Sequence, residues 1–222
     1  MTLALPKPPA APKFPRGGLL PLSAEHLEDE SVYRGRVLEG ADLSGRTLHA
    51  VTFERVVFRR VNFSQAAWSH VRFVDVRFED CDLSAAHWAE ASLERVQFSD
   101  GRLMGLHLPA ARLRHVRLTR VQARLSLWER ADTRNLWAEE SDFGEATFLE
   151  AKLPGAVFRG CRLLRTDFQR ADLDGADLRA SELAGTRLGL REVAGVTVEP
   201  VQLLDLAELL GVRVQELPVV AD

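Results

Sequence analysis

The sequence predicts an all-β solenoid followed by a short C-terminal α-helix. Three observations predict it. From Leu38 to Val193 a large apolar residue, here called the centre, falls at every fifth position without insertion or deletion, 32 in all. Leu, Phe or Trp fills almost every centre, with Ala123, Thr133, Ala138 and Val193 as the exceptions. Two residues before nearly every centre the side chain is small. Self-similarity at a fixed period decides architecture before local propensity does. A helix would spread these centres round its whole circumference, because 3.6 does not divide five. A long strand would send alternate centres to opposite faces, because five is odd. The pattern closes if three residues are extended and two make a corner. The small residue and the centre then point inward together, and neighbouring coils pair as strands.

The beat is clearest in Ala171-Asp172-Leu173-Asp174-Gly175-Ala176-Asp177-Leu178-Arg179-Ala180, which reads A-D-L-x-x twice. These motifs resemble the pentapeptide-repeat family, A-[DN]-L-x-x, over roughly residues 36–195. The resemblance implies a right-handed quadrilateral β-helix with four repeats per coil and about eight coils. At about 4.8 Å per coil that is a rod roughly 38 Å long.

Three segments follow along the chain. Residues 1–30 form an arm that holds Pro6, Pro8, Pro9, Pro12, Pro15 and Pro21, and Ser23 could N-cap a short helix through about Glu30. The arm reads first as a linker, with a plug over the first coil as the alternative. Residues 31–198 form the β-helix. Within them Arg36, Arg46 and Arg191 take the small inward position near the ends, where a long side chain can reach water. Between Val121 and Ala138 the beat falters, and Leu125, Leu127, Leu136 and Trp137 stand where side chains should face out. Either the register shifts there and buries Leu136 or Trp137, or the coil presents an apolar patch. Residues 199–222 hold a helix opened by Pro200, running from Val201 to Leu210 and closed by Gly211. Only Gln202, Asp205 and Glu208 form a polar stripe on it. So wide an apolar surface suggests two burials, one on the last coil and one on a second copy of the chain. The dimer would use Val201, Leu203, Leu204, Leu206, Leu209 and Leu210, and Val212-Arg213-Val214 could add a strand. This tail resembles that of topoisomerase-protecting members of the family, which pair tail to tail.

Composition excludes several classes. No run of 18 apolar residues occurs, so no membrane span is expected. The stretch Met1–Pro9 does not read as a signal peptide, and a cytoplasmic location is expected. Cys81 and Cys161 occupy the same inward position four coils apart, about 19 Å, beyond disulfide reach. The recurrent Asp42, Asp82, Asp132, Asp142, Asp167, Asp172 and Asp177 suit a scaffold role, accepting hydrogen bonds from corner N–H groups. No nucleophile-elbow, dinucleotide or phosphate-loop motif occurs. His49, His70, His87 and His107 fall on one side of a four-sided rod, with His87 stacked over His107, but no carboxylate or thiol shares their position. No metal, cofactor or catalytic residue is therefore expected.

Charge is banded along the axis. Eight arginines between Gly101 and Arg134 face only Glu129 and Asp132, whereas Asn135–Glu150 holds five acids and no base. The resemblance implies a non-enzymatic protein that binds a type II topoisomerase and shields it from quinolones or peptide toxins. Some relatives do so as a dimeric rod that imitates duplex DNA. On that reading the candidate contact groups are Glu139, Glu140, Asp142, Glu145, Asp172, Asp174 and Asp177. The alternative is a generic interaction scaffold that uses the basic band at Arg112, Arg114 and Arg117 and the region of Leu125 and Trp137. Direct nucleic-acid binding is disfavoured, because the flanking acids oppose it.

Overall fold

The computed structural model describes residues 6–209, 211–213 and 215. Its strands are β1 (Leu20–Pro21), β2 (Val32–Glu39), β3 (Thr47–His49), β4 (Thr52–Arg59), β5 (Ala67–Ser69), β6 (Arg72–Glu79), β7 (His87–Ala89), β8 (Ser92–Ser99), β9 (Arg112–Thr119), β10 (Asp132–Glu139) and β11 (Val157–Arg159). Two helices follow, α1 (Leu190–Val193) and α2 (Gln202–Leu209). From β2 onward every pairing is parallel and joins residue n to residue n + 20, as in Thr52 to Arg72, Trp68 to Trp88 and Trp137 to Val157. Twenty residues of a five-residue beat are four repeats, so the chain closes a four-sided coil on each turn. The centres Phe53, Phe58, Phe63 and Trp68 mark the first, second, third and fourth sides. The eight-residue strands turn one corner and cover the first and second sides, while β3, β5 and β7 stack on the fourth. Single bridges such as Asp42–Asn62–Asp82–Arg102 carry the ladder up the third.

The bore is filled as the beat requires. The centres from Leu38 to Leu188 are buried, and their small partners complete the packing. Aromatic centres pack coil on coil, as in Phe58 on Phe78 at 5.0 Å, Phe78 on Phe98 at 4.6 Å and Trp68 on Trp88 at 5.6 Å. Such contacts add about 1 kcal/mol per pair beyond the area they bury.

The corners have a feature that the pattern does not announce. The second residue after each centre from Leu38 to Leu183 sits in the left-handed region, with φ from 49° to 61° at 23 non-glycine positions. In tight corners the next small residue donates its N–H to the centre's carbonyl, as Ala66 does to Phe63 and Ala176 to Leu173. The residue before the centre controls that corner. Asp42, Asp82, Asp142, Asp167, Asp172 and Asp177 each accept the N–H two residues on, at 2.8–3.2 Å. Asp132 does not, because its corner continues as strand β10, and it takes Arg114 instead.

The faltering coil keeps its register. Thr133 pairs with Leu113 and Leu136 with Val116, so nothing slips. Leu136 occupies the inward small position, not an outward one, and its bulk offsets the small centre Ala138; both are buried. Trp137 is also buried, under the Arg159 guanidinium 5.5 Å from its ring. Thr133 and Ser126 donate to the carbonyls of Lys152 and Ala123, and Ser126 accepts from the Trp128 indole at 2.8 Å. Of the four residues expected to face out, only Leu125 is strongly exposed, at 48%.

The first end corrects the linker reading. Leu20–Pro21 pairs with Arg36–Val37, Leu27 is buried in the core, and Ser23 caps a single 3-10 turn, Ala24–His26. The expected helix through Glu30 is therefore one turn, and the segment is a plug. Arg46 does not reach for water; it donates to the carbonyls of Ala24 and Leu27. Tyr33 stacks on Phe53 and donates its hydroxyl to the His26 carbonyl.

At the other end about seven turns are complete. The expected repeat centred on Val193 becomes helix α1, because Glu192 turns back to accept the N–H groups of Gly189 and Arg170. The ladder then resumes at Thr197, bridged to Asp177. Among the described residues, no helix is long and apolar enough to cross a membrane.

Candidate functional site

Helix α2 begins at Gln202, where Leu203 donates to Pro200 and Leu204 to Val201 in a tightened first turn. Its inner face is not the expected apolar stripe. Gln202, placed on the polar stripe by the sequence, is buried and donates to the carbonyls of Leu178 and Ser181 at 2.8 and 2.6 Å. Its oxygen accepts the Glu199 N–H at 2.7 Å. Leu206, expected at a dimer contact, lies one helical turn on and is buried in the core. The pair fastens the helix to the last coil, because i and i + 4 share a face. The outer face keeps Val201, Leu203 and Leu204, which are 69%, 56% and 57% exposed. Leu209 ends the helix, while its side chain and all of Leu210 lie outside the described residues. Gly211 adopts φ 72°, and Val212 donates back to Ala207 at 2.8 Å. Val212 and Arg213 form no strand, and Val214 lies outside the described residues.

The charged bands are not free surfaces. Most ion pairs join adjacent coils, so a band of one sign is stitched to the next. Arg114 holds Asp132, Arg117 holds Glu139, Arg120 holds Asp100, and Arg124 holds Glu145. These pairs lie at the surface and contribute little stability each. What they remove is unbalanced field. Among the described residues Arg112, Arg130 and Arg134 have no ion pair, and the eight arginines are distributed over all four sides.

The candidate carboxylates separate in the same way. Asp177 is 2% exposed and bound by Arg159 at 3.1 Å and Arg179 at 2.7 Å, so it is a buried anchor and not a contact group. Burial would raise its pKa, but hydrogen bonds from the Arg179 side chain and N–H and from Arg159 outweigh burial and hold it low. Glu139 behaves alike: burial opposes, while Arg117 and Trp137 lower its pKa. Trp137, Glu139, Asp177 and Arg117 thus share one network on the second side. Asp142 pairs with Arg162 and Glu145 with Arg124 and Arg165. Among the described residues, Glu140, Asp172 and Asp174 are the candidate carboxylates without an ion pair.

His87 and His107 lie one above the other on adjacent coils, with ring centroids 4.5 Å apart in an edge-to-face arrangement. Burial, then the neighbouring His107, lowers the His87 pKa. Glu129, which the sequence places only in the arginine band, sits 3.3 Å from His107, one coil on. Among the described residues no group of three or more His, Cys, Asp or Glu side chains is arranged to hold a metal. Cys81 and Cys161 are free and buried, and burial pushes their thiols up to about 11 and about 12.

Two family profiles match the chain, one described as a pentapeptide repeat region over residues 71–148 and one as pentapeptide repeats (8 copies) over residues 141–188. No curated protein matches it. Among solved structures, a trypsin-treated form of QnrB1, a plasmid-mediated fluoroquinolone resistance protein, is 21% identical. That match covers 83% of this chain and 100% of that one, at a TM-score of 0.41. HetL, a pentapeptide repeat protein involved in heterocyst differentiation regulation from the cyanobacterium Nostoc sp. strain PCC 7120, is also 21% identical. It covers 77% of this chain and 84% of its own, at a TM-score of 0.36.

Proposed function

The chain belongs to the pentapeptide-repeat family, whose profiles together span residues 71–188, more than half its length, and from that premise we propose that it is a non-enzymatic protein that protects a type II topoisomerase, DNA gyrase or topoisomerase IV, from inhibitors or toxins. The observation that carries this reading is the exposed row Val201, Leu203 and Leu204 at one end of an uninterrupted rod. An apolar row of this kind is buried most economically against its own copy across a two-fold axis. Two rods of about seven turns, about 34 Å each, joined end to end give roughly 67 Å. That is the length of about 20 base pairs at 3.4 Å each. The unpaired carboxylates Glu140, Asp172 and Asp174 lie in the half nearest the junction. With so many other charges tied into ion pairs, imitation of a duplex rests more on shape than on charge. A cytoplasmic location belongs to the same proposal.

The test is a supercoiling assay with gyrase and a poison, with and without the protein. Rescue at stoichiometric ratios, lost in Val201→Asp with Leu204→Asp, is the expected result; no binding and no rescue would sink the reading. A second reading, a scaffold for another protein client, is favoured by exposed Leu125 and by Arg112, Arg130 and Arg134, which have no ion pair among the described residues. Reversing Arg112, Arg130 and Arg134 to Glu separates the two, because protection through the carboxylates should survive a change at arginines that hold none of them.

A further inference from the structure

The arm ahead of the plug does not hang free. Lys13 donates its backbone N–H to Asp75 Oδ1 at 3.0 Å, and Ala10 donates to His115 Nδ1 at 3.4 Å. Phe14 lies 4.7 Å beneath the Arg77 guanidinium. Pro12 is buried, Pro9 and Pro6 are half-buried, and Lys7, Pro8, Ala10, Ala11 and Lys13 are exposed. Burial at every third residue, on prolines, is the pattern of a polyproline II helix with one edge against a surface.

That surface is the corner between the first and second sides, where Asp75, Arg95, His115 and Asn135 stack one coil apart. The spacings agree. Ala10 to Lys13 is one polyproline II turn of three residues, about 9.3 Å. Their acceptors, His115 and Asp75, stand two coils apart, about 9.6 Å. One turn of the arm therefore spans two coils to within about 0.3 Å. Asp75 is held in advance, because Arg95 grips it at 2.6 and 3.0 Å, while His115 Nδ1 is shared between Ala10 and the Asn135 amide at 3.1 Å.

We propose that this corner is a docking track for polyproline II segments with proline at every third position, and that residues 6–14 are its resident occupant. A partner's proline-rich segment competes for the track when the arm lifts. The arm's advantage is its tether, because a short flexible link gives an effective concentration on the order of 1 mM. An arm docked about nine-tenths of the time then implies a Kd of about 0.1 mM for the same peptide offered separately.

The full chain tests this with a fluorescent synthetic peptide of residues 6–18. The wild type should bind it weakly, while Lys13→Pro with Phe14→Ala, which loosens the arm and leaves the rod intact, should bind it about tenfold more tightly. Adding Arg77→Gln to that variant should reverse the gain, with an unchanged circular dichroism spectrum showing that the rod still folds. A peptide with its prolines moved out of the threefold spacing should not bind. Equal binding by wild type and loosened variant, or random-coil exchange of the Ala10 and Lys13 amides in the wild type, would overturn the proposal.

Discussion

The two ends of the rod solve the same problem differently. Each must satisfy strand edges that have no further coil to pair with. At the first end strand β1 pairs the edge of β2, Arg46 binds two carbonyls, and Leu27 closes the bore. At the last, Gln202 binds the carbonyls of Leu178 and Ser181, and Leu206 closes the bore. Both ends are therefore finished as hydrogen-bonded structure. The last leaves the row Val201, Leu203 and Leu204 outside, whereas the first leaves Leu20 and Val32 exposed. Capping a solenoid and hiding its apolar surface are separate tasks, and the larger unhidden surface is at the last end.

The contrast predicts its largest effect on assembly. The chain should run at twice its 24.8 kDa in sedimentation equilibrium. Val201→Asp with Leu204→Asp should return it to the single mass, with monomer stability changed by less than about 0.5 kcal/mol. A wild type that is monomeric at about 100 μM would erase the asymmetry.

Next comes the sealed end. Leu27→Ala opens a cavity under the plug and should cost about 3 kcal/mol in urea unfolding. Equal stability would mean that the plug merely rests on the rod.

Asp177 sharpens the comparison near the open end. Its pKa is held below the unfolded value, so its contribution is complete above the ordinary carboxylate pKa. It fades as pH falls through the depressed folded value. Asp177→Asn should cost about 2 kcal/mol at neutral pH, because it weakens hydrogen bonds to two arginines. The variant should then lose less stability than wild type between about pH 5 and pH 2.

The smallest effects concern the corners. Ala50 and Ala180 hold φ values of 53° and 60°, one near each end. Glycine relieves left-handed strain but gives the unfolded chain more freedom, so each change to Gly should gain about 0.5 kcal/mol in thermal unfolding. A loss at either site would show that its side chain contributes more than its backbone strain costs.

Much of the solenoid was legible because the inward pair and the five-residue beat are local. Asp before Leu173 and Leu178 even marks which corners are tight. The left-handed corner was not legible, since Arg55, His70 and Glu90 have no local reason to adopt it; the closing of each coil imposes it. Leu136 was misread because its compensation for Ala138 is a matter of shared volume within one coil. Gln202 was misread because its partners lie 24 and 21 residues back, at an end no helical periodicity describes. The arm's prolines were visible, but the track beneath them exists only once Asp75 and His115 are stacked two coils apart.

The twenty-residue register also sets the gearing of the molecule. Removing a whole turn, such as residues 92–111, would rejoin every ladder and shorten the distance between Tyr33 and α2, while bringing Asp75 and His115 one coil apart. Removing five residues would instead rotate everything downstream by a quarter revolution. The outward row of α2 would then face a different compass direction from the arm's corner. Length and phase are thus independently adjustable in this chain, by excisions of twenty and of five.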